Sequence, residues 1–258
     1  MSKKLASGAD KLVLDVKMGS GAFVKDLDGA KKLAEMMVRI GEMNGRETVA
    51  VITNMNRPLG KRVGNLLEVQ EAEQTLQGRG PEDLTEVCLC LAAQMLSLAG
   101  KGSYQACYEM AEATLKNGAA QAAFQSFIQA QGGAYDVIAH PERYYEKPAE
   151  RTIHAKQSGY LQILSAEEIG RASMMLGAGR ETKDSRLDYT AGIVFHKNIG
   201  DAVDHGEALC TLYAQDSSRF QEAAAVLAGT VTVTGRQLKP EPLIFIKMEG
   251  HPSCVGMR

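Results

Sequence analysis

The stretch LVLDVKMGSGAF, residues 12–23, places an apolar run directly before a glycine-rich turn. Residues Leu12 to Val16 predict a short buried strand. Gly19 and Gly21 allow the following backbone to turn tightly and to approach a ligand or a packed neighbour closely. Junctions of this kind are where α/β proteins place their binding sites. A plain structural turn explains the glycines equally well, so this stretch alone leaves both interpretations open.

Working outward from this turn, the next segment predicts a strand-helix-strand unit. Apolar residues recur at helical spacing after the turn, and residues Glu47 to Thr53 then predict a second strand. The connection is long enough for a crossover, so the two strands are expected to be parallel. The helical stripe is expected to face the core rather than a cofactor; it comprises Leu33, Met36, Met37, Ile40 and Met43.

The remainder of the chain predicts several helices and then a second unit. Residues 62–131 have a helical pattern that glycines interrupt, and Gly132 and Gly133 mark a boundary. Residues 136–150 combine two prolines with charge and are predicted to be a linker. The short strands expected after it lie at Thr152 to His154, Tyr160 to Ile163, Ala191 to Phe195, Ala208 to Tyr213 and Leu243 to Ile246. The predicted class is α/β: part of a parallel-sheet domain with flanking helices, 11–135, followed by a smaller α+β domain, 151–258.

Composition excludes several classes of function. The 258 residues carry a net charge of −2 with basic and acidic residues intermixed, so no basic stripe indicates a nucleic-acid or membrane partner. No apolar run is long enough to span a membrane, and the N-terminus does not have the layout of a secretion signal. The five cysteines form no disulfide framework. We expect a cytoplasmic location.

Four segments in this order and spacing carry a family resemblance: SKKLASGAD (2–10), LVLDVKMGSGAF (12–23), PLGKRVGNLLEVQEA (58–72) and AAFQSFIQAQGG (122–133). Together they resemble the pyrimidine-nucleoside phosphorylase and thymidine phosphorylase family, over nearly the whole chain to about Ile246. Family members also have a helical lobe and a Lys-His-Ser-Thr-Gly-Gly phosphate loop, and no such loop occurs in the sequence. The resemblance is to the C-terminal part of such an enzyme, with residues 1–10 as a hinge and remnant of that lobe.

The resemblance implies phosphorolysis of a pyrimidine (deoxy)nucleoside, with phosphate as co-substrate, to the free base and (deoxy)ribose 1-phosphate. Negative charge then builds on the leaving base, and a lysine at the base edge stabilises it. The family's catalytic, base-binding lysine maps to Lys3. Phe23 matches an aromatic residue of the base pocket, although core packing explains Phe23 equally well. We assign no role to Asp15 and Lys17, which are expected to neutralise each other.

A cation site is also implied by the resemblance. The family binds a monovalent cation through backbone carbonyls and one carboxylate, at positions that map to Leu59, Arg62 and Glu71. Potassium suits carbonyl dipoles because it is large and weakly hydrated. The Arg62 side chain places a positive charge close by, which weakens cation binding. Other ligands of this site belong to the phosphate loop, so the site is expected to be incomplete.

Intact family members are homodimers, and the resemblance leads us to expect that the isolated chain is inactive or very weak. An alternative is a non-catalytic half that complements a separately encoded N-terminal half. A phosphoribosyltransferase fits the SKKLA run poorly, and a biotinyl or lipoyl carrier would need a methionine-flanked lysine, which Lys197 is not. Uncovered strand edges and apolar faces predict self-association.

Overall fold

The computed structural model describes residues 1–180, 182–237, 239 and 241–249. The α-helices of these residues are α1 (Ser2–Ala6), α2 (Leu27–Met43), α3 (Asn65–Leu76), α4 (Glu82–Leu98), α5 (Tyr104–Lys116), α6 (Ala119–Ala130), α7 (Asp136–Ala139), α8 (Ala166–Ser173) and α9 (Phe220–Thr230). The strands are β1 (Lys11–Met18), β2 (Glu47–Asn54), β3 (Arg62–Val63), β4 (Ala149–His154), β5 (Gly159–Ile163), β6 (Gly192–Phe195), β7 (Ala202–Val203), β8 (Ala208–Ala214), β9 (Val231–Thr234) and β10 (Ile244–Glu249). In this part of the chain, no helix is both long and apolar enough to cross a membrane.

The first sheet has the strand order β1-β2-β10. Strands β1 and β2 are parallel and pair from Lys11 opposite Glu47 to Met18 opposite Asn54, which confirms the predicted strand-helix-strand unit. Alternate side chains of β1 are buried against α2, as expected for a strand with period two. On the other face, Lys11 donates to the carbonyl of Leu98 at the end of α4, 2.6 Å away.

The core face of α2 differs from the predicted one. Asp26 caps the helix by accepting a hydrogen bond from the Gly29 N–H at 2.8 Å. The side that packs on the sheet carries small residues, namely Ala30, Ala34, Val38 and Gly41. The prediction of a buried stripe is wrong for Leu33, Met36 and Met43, which are 37%, 61% and 74% exposed. Small side chains bring the helix close to the strands, and the larger residues then point outward.

The second region is antiparallel. One sheet has the order β3-β6-β8-β4 and the other has the order β7-β5-β9. Helices α8 and α9 pack together over a core cluster that includes Ile169, Ile193, Leu212 and Leu227, all fully buried. The predicted strands between residues 152 and 213 are all present, so the α/β class with a following α+β unit is confirmed.

The two regions exchange strands. Strand β3 lies early in the chain but pairs with β6, with Arg62 opposite Val194. Strand β10, predicted at Leu243 to Ile246 within the second unit, instead pairs antiparallel with β2, with Ile246 opposite Ile52. That placement was wrong because a short apolar run does not reveal which sheet it joins. The predicted linker 136–150 contains α7 and a 3₁₀ turn at Pro141–Arg143; the domain boundaries themselves stay a prediction.

Candidate active site

The glycine turn after β1 is held on the segment that follows β2. The Ser20 N–H donates to Asn56 Oδ1 at 2.9 Å, and the Gly21 N–H donates to the Met55 carbonyl at 2.9 Å. Gly19 has φ = 135°, and a Cβ there would lie 2.5 Å from the Asn56 nitrogen, so only glycine is compatible with this approach. The loops at the carboxyl ends of the two parallel strands are therefore fixed to each other, at the edge where α/β sheets bind ligands.

Phe23 lies at the outer side of this turn. Its side chain is fully exposed, whereas the neighbouring Ala22 is buried. The backbone on either side is held in place, because the Gly19 N–H donates to the Val24 carbonyl at 3.1 Å. Core packing, the competing explanation for this aromatic residue, is therefore excluded by its exposure. A role for Phe23 in a base pocket stays a prediction.

Lys3 lies in the first turns of the chain, in α1. Its side chain is exposed and forms no hydrogen bond or ion pair with the residues that the structure describes. Helix α1 is anchored at its start by Met1, which packs against the α2–β1 core cluster. The Lys3 ammonium is thus a positive charge that is free to meet an anionic group.

Glu71 and the loop before β3 form a compact arrangement. Glu71 is buried, at 4% exposure, and its carboxylate accepts hydrogen bonds from the Lys61 N–H at 3.0 and 3.2 Å and from the Arg62 N–H at 3.3 Å. Gly60 has φ = 78°, and a Cβ there would lie 2.3 Å from Glu71 Oε2. The loop can close around the carboxylate because residue 60 is glycine.

Opposing influences act on the Glu71 carboxyl. Burial is the largest, and it raises the pKa of Glu71 above its ordinary value. The backbone N–H groups of Lys61 and Arg62 and the charge of Arg62 lower this pKa, while the nearby Asp83 raises it. The Arg62 guanidinium itself donates to Gln70 Oε1 at 3.2 Å.

The structure therefore brings Leu59, Arg62 and Glu71 into one loop-and-helix unit. The carbonyl of Leu59 accepts no hydrogen bond from the described residues, which leaves an acceptor oxygen in the loop that surrounds the Glu71 carboxylate. Lys3 and Phe23 flank the first strand at its two ends, one before β1 and one in the turn after it.

Two features near these residues were not predicted. Asp83, at the start of α4, accepts a hydrogen bond from the Gly60 N–H at 3.3 Å and so adds a second carboxylate to this loop. Thr53 donates to Asp15 Oδ1 at 2.5 Å, which joins β1 to β2 by side chains. The expected pairing of Asp15 with Lys17 is confirmed, with 2.7 Å between the charged atoms. No pattern along the chain indicates the contact of Asp83 with Gly60 or that of Thr53 with Asp15, because these partners are 23 and 38 residues apart.

Comparison with known proteins shows what this arrangement belongs to. Residues 1–121 match the glycosyl transferase family, a/b domain, and residues 160–234 match the pyrimidine nucleoside phosphorylase C-terminal domain. The chain belongs to the pyrimidine-nucleoside phosphorylase family. It is similar to the pyrimidine-nucleoside phosphorylases of Staphylococcus aureus strains USA300 and NCTC 8325, each 46% identical over 241 residues.

The matched region is 93% of this chain but 55% of each of these relatives. The chain thus spans about half the length of the curated relatives that it matches. The match supports a glycosyltransferase-type enzyme of this family.

Proposed function

We propose that this chain contributes the base-binding side of a site that phosphorolyses pyrimidine (deoxy)nucleosides. The reaction breaks the bond between C1′ of the sugar and N1 of the base, and an oxygen of phosphate forms the new bond to C1′. The products are the free base and (deoxy)ribose 1-phosphate. The observation that carries this proposal is the 46% identity to pyrimidine-nucleoside phosphorylases over 93% of the chain.

Lys3 is proposed as the group that stabilises the leaving base. The electron pair of the breaking bond stays with the base, so negative charge develops on its O2 and N3. An ammonium group at that edge interacts more strongly with the transition state than with the neutral nucleoside, and this difference lowers the barrier. The exposed Lys3 ammonium, unpaired among the described residues, supports this role.

Phe23 is proposed as an apolar wall for the pyrimidine ring. Aromatic side chains contact a ring face favourably in stacked or edge-to-face arrangements. A fully exposed phenylalanine on a turn that backbone and side-chain hydrogen bonds hold in place supports this role.

A monovalent cation, K⁺, is proposed at the loop around Glu71. The backbone carbonyls of Leu59 and Arg62 and the Glu71 carboxylate would hold it. The donor set fits, because the Leu59 carbonyl accepts no hydrogen bond from the described residues and a buried carboxylate gains from a nearby cation. When bound, the ion would supply no chemistry to the reaction beyond fixing the geometry of this loop.

The working enzyme is proposed to be a homodimer that binds nucleoside and phosphate, with more of the family's length than these 258 residues. The purified chain, given phosphate and either uridine or thymidine, should release base very slowly or not at all. The same assay should show turnover once the chain is fused to the part of the S. aureus relative that lies outside the match. Ordinary enzymatic turnover by the chain alone contradicts this division of the site.

A second candidate is a non-catalytic half that docks on a separately encoded partner. The observation that favours it is the edge of β1, which pairs on one side with β2 and on the other with no strand among the described residues. Free N–H and C=O groups on such an edge readily pair with a strand of another chain. Co-expression with a separate N-terminal half should then restore phosphorolysis. Turnover by the fused protein, together with no turnover by the co-expressed chains, argues against docking between separate chains.

A further inference from the structure

A cavity of about 410 Å³ lies outside the carboxyl end of β2. Its walls come from the segment after β2, from the end of β5 and from the residues that precede β10. Its volume is in the range of pockets that hold small ligands, and it occupies the edge where open α/β sheets bind them. Neither Lys3 nor Phe23 is among the residues that line it, so it is distinct from the proposed base site.

Positive charge exceeds negative charge in this cavity. The half-buried Arg57 and the exposed Lys239 both line it, and neither forms an ion pair or hydrogen bond within the described part of the chain. The carboxylate of Glu241 also lines the cavity, but its Oε2 already accepts hydrogen bonds from Asn54 Nδ2 at 3.0 Å and Asn56 Nδ2 at 2.7 Å. The side-chain amides of Asn54 and Asn56 therefore hold the Glu241 carboxylate, and the guanidinium of Arg57 is available to a ligand.

Part of the cavity wall is apolar. It consists of Ile163, Leu164 and Ile199, and Leu164 is 51% exposed. An exposed leucine beside an unpaired arginine suits a molecule that has both an anionic group and a ring or hydrocarbon body. Neither inorganic phosphate nor an uncharged ring would use both walls.

We propose that this cavity binds a small phosphate monoester that carries a ring, of the size of a nucleoside monophosphate. The guanidinium of Arg57 would bind the phosphate in a charge-assisted, two-pronged contact, and Lys239 would add a second positive charge. The ring would lie against Ile163, Leu164 and Ile199. This site goes beyond the proposed phosphorolysis and does not depend on it.

Isothermal titration of the 258-residue chain tests the proposal, with uridine 5′-monophosphate as probe. Arg57→Gln should weaken its binding by about tenfold or more, because a charge-assisted contact is lost. Glu241→Gln should strengthen binding by about twofold to fivefold, since it removes a negative charge while keeping an oxygen acceptor for the two asparagines. Arg39→Gln, an exposed arginine on α2, has the same change of charge elsewhere and should leave the affinity unchanged.

Two further titrations separate the parts of the ligand. Uridine, which has the ring without the phosphate, and ribose 5-phosphate, which has the phosphate without the ring, should each bind at least about tenfold more weakly than uridine 5′-monophosphate. Equal affinity for ribose 5-phosphate overturns the role of the apolar wall. Absence of binding up to about 10 mM, or equal effects of Arg57→Gln and Arg39→Gln, overturns the site itself. Thermal unfolding of each variant confirms that it is folded.

Discussion

The helices of the antiparallel second region and of the first region, whose sheet is built on the parallel pair β1–β2, bury their apolar residues to different extents. In the second region, α8 and α9 cover the sheets, and large residues such as Ile169, Leu176 and Leu212 are fully buried. In the first region, the sheet packs on the small face of α2, and Met36 and Met43 remain exposed. The edge of β1 opposite β2 also pairs with no described strand. The helices of the second region thus turn their large apolar residues toward the core, whereas α2 of the first region turns several outward, onto a surface that suits a further partner.

The largest expected effect on the free energy of unfolding lies in the second region. Leu212→Ala removes a fully buried side chain from the second core and should lower the free energy of unfolding by about 2–5 kcal/mol. Met36→Ala, the matched change on the exposed face of α2, should lower it by no more than about 0.5 kcal/mol. Urea unfolding of both variants measures the contrast, and similar losses would show that the two regions do not differ as described.

A smaller effect is expected at the Glu71 loop, where the two regions meet. Glu71→Ala leaves the Lys61 and Arg62 N–H groups without their acceptor and should cost about 1–3 kcal/mol of unfolding free energy. Glu68→Ala on the same helix is the closest comparison, because Glu68 also accepts a backbone N–H, that of Gly64 at 3.0 Å. Glu68 is less buried than Glu71, so its loss should be the smaller one; the reverse order contradicts the account of the loop.

Glu71 should also make a pH-dependent contribution to the stability of the folded chain. Because burial raises the pKa of Glu71, the folded state holds this proton more tightly than the unfolded state does. The stabilising contribution of the protonated carboxyl is complete below the ordinary pKa of 4.5 and is lost as pH rises through the higher folded value. The wild-type chain should therefore lose stability relative to Glu71→Gln over this range. A difference that grows in the opposite direction with pH contradicts the raised pKa.

Potassium should oppose that loss if it binds the ionised carboxylate. Added K⁺ should then raise the thermal midpoint more above the Glu71 pKa than below it, and should have little effect on Glu71→Gln. Li⁺ at equal concentration is the control for ionic strength, since it is smaller and more strongly hydrated. Equal shifts with both ions argue against a K⁺ site.

The smallest expected effect concerns the exposed face of α2. The chain is predicted to self-associate through uncovered apolar surface and the open edge of β1. Met36→Lys combined with Met43→Lys should shift the sedimentation profile toward monomer, whereas Lys32→Met, on the exposed side of the same helix, should not. A monodisperse wild-type monomer contradicts the prediction.

Local patterns in the sequence predicted local structure well and long-range pairing less well. The apolar run of β1 and the length of its connection to β2 were sufficient to predict a parallel pair, and the structure has that pair. The predicted core face of α2 was wrong because apolar character alone selected the methionines. The helix lies close to the sheet, and this short distance favours small residues such as alanine at the contact. The site of β10 depends on a strand some 190 residues earlier, and the residues themselves carry no signal of that partner.

In the candidate site, too, the local motif was predicted from the sequence and the contacts between distant segments were not. The motif around Leu59, Arg62 and Glu71 indicated a loop and a carboxylate together, and the structure brings them together. The contribution of Asp83 and the exposure of Phe23 could not be predicted, because they depend on how α4 and the glycine turn pack in space. The role of Lys3 stays a prediction from motif similarity, supported by its exposure.

The most direct test of that role is kcat for phosphorolysis in the chain fused to the part of the S. aureus relative that lies outside the match. Lys3→Ala should lower kcat by about 10²–10³, because one charged donor to the developing anion is lost. Lys4→Ala removes the adjacent exposed lysine and should leave kcat within about twofold of the unmodified fusion. Equal kcat for Lys3→Ala and the unmodified fusion would contradict the proposal that Lys3 stabilises the departing base.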